Sequence, residues 1–160
     1  MEKSQALDLL KKYKLKNRVL KHSLVVNKFA ISLSKDLIKK GKNIDLNLVD
    51  VSSLLHDIGR SISGETKKHH SIEGYNILMK EGYPKIAGII KKHGLAWIDK
   101  DTLDTIEEKI VWYSDKRVDE DEVVSLNKRL ELLETRHPGV TLFIEKIRKK
   151  IEGIEKELIQ

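Results

Sequence analysis

The stretch "LLHDIGR", residues 54–60, ends an apolar run with a histidine and an aspartate side by side. Titratable groups in such a position are costly to bury unless they are paired with other groups. His56 and Asp57 are therefore either polar residues at the end of a helix or one part of a metal site. The second interpretation requires further ligands, so the rest of the chain decides between the two.

Length and composition are typical of one soluble globular domain. The chain has 160 residues, of which 39% are hydrophobic and 35% are charged. No apolar run approaches the roughly 18 residues of a membrane span, and the first residues lack the pattern of a secretory signal. We therefore expect a single domain over residues 1–160, no membrane association and a cytoplasmic location. The absence of cysteine excludes disulfides and thiolate zinc sites.

The formal net charge is +6, and the basic residues are scattered as lysine pairs instead of forming one block. Residues 11–21 are the densest basic stretch. Such stretches are more often solvated helix faces than nucleic-acid interfaces, so we do not expect nucleic acid as a partner. The positive charge is suited to attract a small anionic substrate such as a phosphate ester.

Apolar residues recur at spacings of three and four over almost the whole chain, which is typical of helices. Asp45 and Thr105 are suited to begin helices, and Pro84 is suited to a first helical turn. Gly59 is suited to end a helix. No alternating strand pattern of useful length is present, so the sequence predicts an all-α bundle. One apolar stripe, with a histidine within it, consists of Val19, His22, Val26, Phe29 and Leu33.

The C-terminal part of the chain predicts two more helices. The first passes through Val123, Leu126 and Leu130 and is interrupted by "RHPG" at residues 136–139. The second has a three-and-four repeat that suits either a homodimer seam or docking onto the same bundle. Two heptads are too few to argue for a coiled coil, so we favour docking of residues 120–158 on a core of about 18–118. The repeat consists of Ile144, Ile147, Ile151, Ile154 and Leu158.

Five helical segments each place a histidine or an aspartate on the same side as apolar residues. Any one inward histidine is more often a hydrogen-bonded core residue than a ligand. Several such groups in one small bundle must satisfy one another, however, and a divalent cation does so with neutral imidazoles and ionised carboxylates. His137 at a helix boundary is expected to be a cap or surface residue. The inward positions are His22, His56, His70, His93 and Asp115.

The order of these residues resembles the HD-domain superfamily of metal-dependent phosphohydrolases. The letters "HDIG" at residues 56–59 match the HDIG subset of that superfamily. The resemblance covers residues 18–118. His70, and not His69, matches the family pattern because Gly74 follows it by four residues. Around Asp115 the family often has Ala-Asp-Lys, whereas Ser114 replaces the alanine here.

The resemblance implies a fold of five or more core helices around a metal site. It also implies two ions, because both intervening histidines of the family pattern are present. The nitrogen and oxygen ligands suit iron, manganese, cobalt, nickel or zinc. By resemblance, the first ion is bound by His22, His56, Asp57 and Asp115, and the second by His70 and His93 with Asp57 bridging the two.

The implied activity is hydrolysis of a phosphate ester or anhydride. Divalent ions lower the pKa of water to about 7, which supplies a nucleophile at neutral pH. We expect catalytic roles for Asp57, Arg18 and Lys116, and phosphate binding by Arg18, Arg60 and Lys116. Surface solvation or a salt bridge is an equal alternative for each of the three cations.

The expected substrate is a nucleotide or related compound, with a dinucleoside polyphosphate as the preferred class. Specificity groups are expected in residues 61–68 and 95–101. Two other functions remain open at the level of sequence. A few HD-fold proteins are di-iron oxygenases with the same ligand set, and a non-catalytic nucleotide-binding or interaction module is the other alternative.

Overall fold

The computed structural model describes residues 1–100 and 103–159, so Asp101 at the end of the second expected specificity loop lies outside the described residues. The predicted all-α class is confirmed. The elements are α1 (Lys3–Lys12), α2 (Asn17–Lys39), α3 (Leu46–Leu55), a 3-10 helix (Ile58–Ser61), α4 (Ser63–Thr66), α5 (His70–Lys80), α6 (Pro84–Lys91), α7 (Ala96–Asp99), α8 (Ile106–Lys116), β1 (Val118–Asp119), β2 (Glu122–Val123), α9 (Leu126–Arg136), a second 3-10 helix (Pro138–Val140) and α10 (Thr141–Ile159).

The helix ends follow the predicted local signals. The Asp45 carboxylate accepts a hydrogen bond from the Leu48 amide at 2.9 Å and caps α3. Thr105 and Glu108 form a reciprocal capping box at the start of α8, and Pro84 occupies the first turn of α6. The capping side chains satisfy amide groups that a helix end leaves without partners, and Pro84 lacks such an amide group.

The predicted helix through Val123 is wrong in its first turn. Val123 lies in β2 and pairs with Val118 of β1 in a short antiparallel hairpin. Glu120 turns the chain with a φ of +54°, and α9 begins only at Leu126. The Ser125 hydroxyl caps α9, so a local turn and a local cap outweigh the apolar spacing that includes Val123.

Helix α3 lies at the centre of the molecule and contacts α1, α2, α6 and α8. Its residues Val49, Val51, Leu54 and Leu55 have at most 1% of their surface exposed. Ser52 and Ser53 are also completely buried, so the second half of the helix is enclosed on all sides. The end of this helix therefore delivers His56 into the interior.

Helix α10 packs on α7 and α8 of the same chain. Ile144, Ile147 and Ile151 are completely buried there, and Leu158 is nearly so. Four of the five residues of the repeat are thus buried within this chain, whereas Ile154 is half-buried. Among the described residues, no helix combines the length and apolar character that a membrane span requires.

Gly59 has a different role from the predicted helix stop, because α3 already ends at Leu55. A Cβ atom at Gly59 would lie 2.0 Å from the His70 carbonyl oxygen and 2.4 Å from the Gly74 nitrogen. Only a residue without a side chain permits this approach. The contact fixes the 3-10 helix against the start of α5 and thereby holds His70 near Asp57.

Candidate metal centre

The six predicted ligand residues converge in the interior in two groups of three. Within each group, ligand atoms from all three residues lie within 4.8 Å of one another. The residues come from α2, the end of α3, the start of α5, the turn after α6 and the last turn of α8. The groups are His22, His56 and Asp115, and Asp57, His70 and His93.

The first group is arranged around one carboxylate oxygen. Oδ1 of Asp115 lies 3.1 Å from His22 Nε2 and 3.6 Å from His56 Nε2. His56 Nε2 also lies 3.7 Å from Asp57 Oδ2. The ring of His56 therefore lies between the two aspartates and joins the first group to the second.

The second group is arranged around Oδ1 of Asp57. His70 Nε2 lies 3.3 Å and His93 Nε2 lies 3.7 Å from this oxygen. The two imidazole nitrogens are only 2.9 Å apart. Two nitrogen lone pairs cannot face each other at this distance without a proton or a cation between them.

Main-chain carbonyl groups set the direction of three of the rings. The Nδ1 atoms of His56 and His93 lie 2.7 Å and 2.6 Å from carbonyl oxygens three residues earlier in the chain. His22 Nδ1 lies 2.7 Å from the Glu120 carbonyl in the β1–β2 turn. A neutral ring that donates from Nδ1 presents an unprotonated Nε2, which is the form that binds metals.

The carboxylates of the site are held in their ionised form. Burial raises the pKa of Asp57, but His56, with further contributions from His93 and Arg60, lowers it well below its ordinary value. Burial also raises the pKa of Asp115. Lys116 contributes most to the interactions that outweigh burial and lower this pKa to well below its ordinary value. Both aspartates are thus anionic at neutral pH.

The histidines respond to burial and to these two charges. Burial, followed by the nearby His93, lowers the pKa of His70 to about 2. Burial also lowers the pKa of His56, but Asp57 and Asp115 together raise it above its ordinary value. The position between the two aspartates therefore favours a positive charge, which either a proton or a cation supplies.

Two buried atoms at this position have no hydrogen-bond partner among the described residues. They are Nε2 of His56 and Oδ1 of Asp57. Leaving buried polar atoms unsatisfied is costly, so such atoms require an explanation. A divalent cation fits both, since imidazole nitrogen and carboxylate oxygen are its common ligands. The site is therefore chemically suited to hold metal.

The three predicted phosphate-binding cations all line the cavity above these residues, but in different ways. Arg60 Nε donates to Asp57 Oδ2 at 2.7 Å. Lys116 is buried, contacts the Asp115 carboxylate and donates to the His93 carbonyl at 3.2 Å. Arg18 is 85% exposed, and its nearest acid is Glu120 at 3.8 Å. Two of the cations thus hold aspartates, and one faces solvent.

The cavity has a volume of about 720 Å³, which lies in the range of small-molecule sites. Its outer part includes Trp97 and Lys100, which belong to the expected specificity segment of residues 95–101. It also includes residues that the sequence analysis did not select, which come from the start of α5 and from the chain beyond α8, where no motif marks them. His137 ends α9 as expected and also reaches the cavity. The unselected lining residues include His69, Asp119, Arg129, Leu133, Arg136, Val140 and Phe143.

Comparison with known proteins agrees with this geometry. A family model described as "HD domain" matches residues 19–130. The chain belongs to the HD domain family. The matched region contains all six converging histidines and aspartates and ends within α9. The outer cavity wall formed by the end of α9 and by α10 follows the matched region.

Relatives of this HD domain fall into two kinds. It is 34% identical to an uncharacterized protein of Methanocaldococcus jannaschii, over 90% of this chain and 94% of the relative. It is also similar to proteins named tRNA (cytidine(56)-2'-O)-methyltransferase. The identity is 34% in Thermoplasma volcanium, over 68% of this chain and 34% of that enzyme. It is 28% in Picrophilus torridus, over 96% of this chain and 47% of that enzyme. No solved structure matches the chain.

Proposed function

We propose that this HD domain is a metal-dependent phosphohydrolase that cleaves a phosphate ester or anhydride of a nucleotide, with a dinucleoside polyphosphate as the preferred class. The observation that supports this most strongly is the pair of unsatisfied atoms, His56 Nε2 and Asp57 Oδ1, of which Asp57 lines a cavity that is also lined by cations and His56 lies buried behind it. Membership of a family of metal-dependent enzymes supports the same reaction type.

The proposed ligands divide between two ions that share one aspartate. Asp57 is suited to bridge them, because its Oδ1 faces His70 and His93 while its Oδ2 lies 3.7 Å from His56 Nε2. When bound, divalent cations would acidify the attacking water and neutralise charge on the phosphoryl group. The proposed ligands are His22, His56, Asp57 and Asp115 for one ion, and Asp57, His70 and His93 for the other.

The protein's own cations would hold the substrate and the ligands. Arg60 uses Nε to hold Asp57, so its terminal nitrogens remain for phosphate oxygens in a charge-assisted contact. Lys116 keeps the Asp115 carboxylate ionised and in place. Arg18 at the mouth would attract and position the anionic substrate.

The methyltransferase relatives favour a second candidate substrate for the same chemistry, a phosphate ester in transfer RNA. This chain spans only 34% and 47% of those enzymes, so the shared part is one portion of a longer protein. The name of the whole enzyme refers to methyl transfer, which the residues described here do not explain. A phosphohydrolase module that acts on the same RNA would explain why the two portions are joined.

Metal analysis followed by a substrate screen tests the proposal. We expect one or two divalent ions per chain and metal-dependent release of phosphate or nucleoside phosphate from nucleotides, dinucleoside polyphosphates or transfer RNA. A metal-loaded protein that hydrolyses none of these would overturn it. Iron-dependent oxygen consumption without hydrolysis would favour the oxygenase alternative, and nucleotide binding without turnover would favour a binding module.

A further inference from the structure

We propose that α7 and the C-terminal part of this chain together supply a base-binding wall, defined as Trp97, Leu133, Val140 and Phe143. These side chains would recognise the substrate by its aromatic base. The inference rests on the proposed phosphohydrolase function, because it places the base of the same molecule whose phosphate lies at the metal centre. It also identifies residues that determine specificity without taking part in the chemistry.

The base-binding wall differs in chemistry from the rest of the cavity. The floor presents carboxylates, imidazoles and the cations that contact them. The four wall residues are apolar, and each is only half-buried although each lines the same cavity. Clusters of partly exposed apolar side chains in a cavity are typical of ligand contact surfaces. A ligand that fills both parts has an anionic end and an apolar end.

Two aromatic rings give the wall its preference for a flat group. Trp97 of α7 and Phe143 of α10 line it together, and bases stack on such rings with little dependence on their identity. Lys100 Nζ lies 4.9 Å from the centre of the Trp97 ring and also lines the cavity. Lys100 can thus contact an anionic group of a ligand while Trp97 contacts an aromatic group of the same ligand. A nucleotide has both, whereas a sugar phosphate has only the first.

Ion pairs hold the elements of the wall in place. Lys146 of α10 donates to Asp99 of α7 at 2.9 Å, and Lys150 donates to the Asp99 carbonyl at 3.0 Å. Arg136 of α9 binds Asp119 through two nitrogens at 2.7 Å each. The wall is therefore formed before a ligand arrives, which lowers the entropic cost of binding.

The position of the wall in the sequence explains why the family match includes only one of its four residues, Trp97. Leu133, Val140 and Phe143 all follow residue 130, where the match to the HD domain ends. The six proposed ligands lie inside the match. The reaction type would thus be set by the shared part of the chain, and the organic part of the substrate by the segment that follows it.

Intrinsic fluorescence gives a direct test, because the chain has two tryptophans in different environments. Trp112 is completely buried, whereas Trp97 lines the cavity. The full chain is titrated with AMP and with ribose 5-phosphate after its divalent ions have been removed with a chelator, so that no metal-dependent turnover occurs. We expect AMP to change the emission and ribose 5-phosphate to leave it unchanged. In Trp97→Phe, which retains Trp112, the response to AMP should disappear.

A pair of adjacent substitutions on α10 gives the matched control. Phe143→Ala should weaken AMP binding about tenfold, as expected for loss of one stacking ring, and leave ribose 5-phosphate binding unchanged. Leu142→Ala removes a neighbouring side chain that is 80% exposed, and it should change neither affinity. Calorimetric titration measures both affinities, and thermal unfolding verifies that each variant is folded.

The outcomes separate this inference from the proposed function. Equal affinity for AMP and ribose 5-phosphate in both the unmodified chain and Phe143→Ala would overturn the base-binding wall, while hydrolysis could persist. A fluorescence response of Trp97 to AMP in a protein that hydrolyses no phosphate ester would support the base-binding wall and contradict the phosphohydrolase function.

Titration with a short adenine oligoribonucleotide distinguishes a free nucleotide from an RNA end as the ligand, since tighter binding of the oligomer than of AMP indicates RNA. An oligomer that, like AMP, fails to bind contradicts the wall.

Discussion

The floor of the cavity and its mouth differ in how deeply their side chains are buried and in how firmly they are held. At the floor, Asp57 is 3% exposed and His56 behind it is completely buried, and main-chain carbonyls orient the rings of His56 and His93. At the mouth, Arg18 is 85% exposed and has only one distant acidic neighbour. Buried groups with fixed partners tolerate little change, whereas exposed side chains lose little when they are altered. Substitutions should therefore cost most at the floor and least at the mouth.

The largest effect is expected at Asp57. Asp57→Asn keeps the size of the side chain but removes the charge that faces three histidines and Arg60. We expect phosphate-ester hydrolysis to fall on the order of 1,000-fold, the upper end for loss of one electrostatic group in an active site. Metal content, measured by mass spectrometry, should fall with it.

Asp36→Asn is the matched control for that change, since Asp36 is 62% exposed and contacts only Lys39 among the ion pairs of the described residues. It should retain both metal and activity. Full activity and metal content in Asp57→Asn would contradict the expectation that substitutions at the floor have larger effects than substitutions at the mouth.

A backbone contact that supports the floor gives the next largest effect. Gly59→Ala would place a Cβ atom 2.0 Å from the His70 carbonyl oxygen, so the start of α5 would have to move. We expect a loss of about 3 kcal/mol or more in the free energy of unfolding, measured by chemical denaturation. Gly64→Ala in the neighbouring α4 meets no atom within 4 Å and should cause no loss. Equal stability of the two variants would contradict the proposed role of Gly59.

A substitution at Arg18 tests the contribution of the cavity mouth. Because its side chain is exposed, we expect Arg18→Gln to raise KM by about tenfold or less and to leave kcat nearly unchanged. Lys21→Gln, which removes an exposed charge from the same helix outside the cavity lining, should change neither constant. A fall in kcat as large as that of Asp57→Asn would instead give Arg18 a catalytic role and make the mouth as important as the floor.

The smallest effect is expected at Asp119, whose carboxylate links β1 to α9. The hydrogen bond from Arg136 lowers the pKa of Asp119, burial raises it, and Arg129 lowers it further, so the net pKa is below its ordinary value of 3.8. A lowered folded-state pKa contributes stability that is present above pH 3.8 and is lost as the pH falls through the folded-state pKa. We expect Asp119→Asn to cost about 1 kcal/mol or less at pH 7.

Denaturation at several pH values measures this difference, which should shrink below about pH 3.8. Asp8→Asn serves as the control, since Asp8 is 73% exposed and lies 3.5 Å from Lys11. It should show no such dependence. A stability difference for Asp119→Asn that does not change with pH would contradict an ionic origin.

The sequence predicted the helices because apolar periodicity is local information, whereas the proposed ligand set came from the order of the histidines and aspartates and from the family resemblance. Periodic apolar residues define the buried face of each helix, and a histidine on that face must point inward. Capping side chains such as Asp45 and Thr105 then fix where the helices begin. The convergence of His22 and Asp115, which are 93 residues apart, followed from the expectation that buried charges satisfy one another.

Other features could not be predicted because they depend on long-range contacts or on the main chain. Nothing in the sequence around Gly59 indicates that its Cα lies against the His70 carbonyl. Val123 fits the helical spacing, yet the turn at Glu120 places it in a hairpin. The outer wall combines Trp97 with Phe143, and no motif links two single aromatic residues from separate helices.

The carbonyl groups that orient His56 and His93 belong to Ser53 and Ile90, three residues before each ring. These acceptors are part of the main chain, so no exchange of one side chain for another removes them. Replacing either residue by alanine leaves the oxygen where it is for as long as the helix end persists. A mutational scan would therefore detect the proposed ligands themselves but not the carbonyl groups that orient their rings.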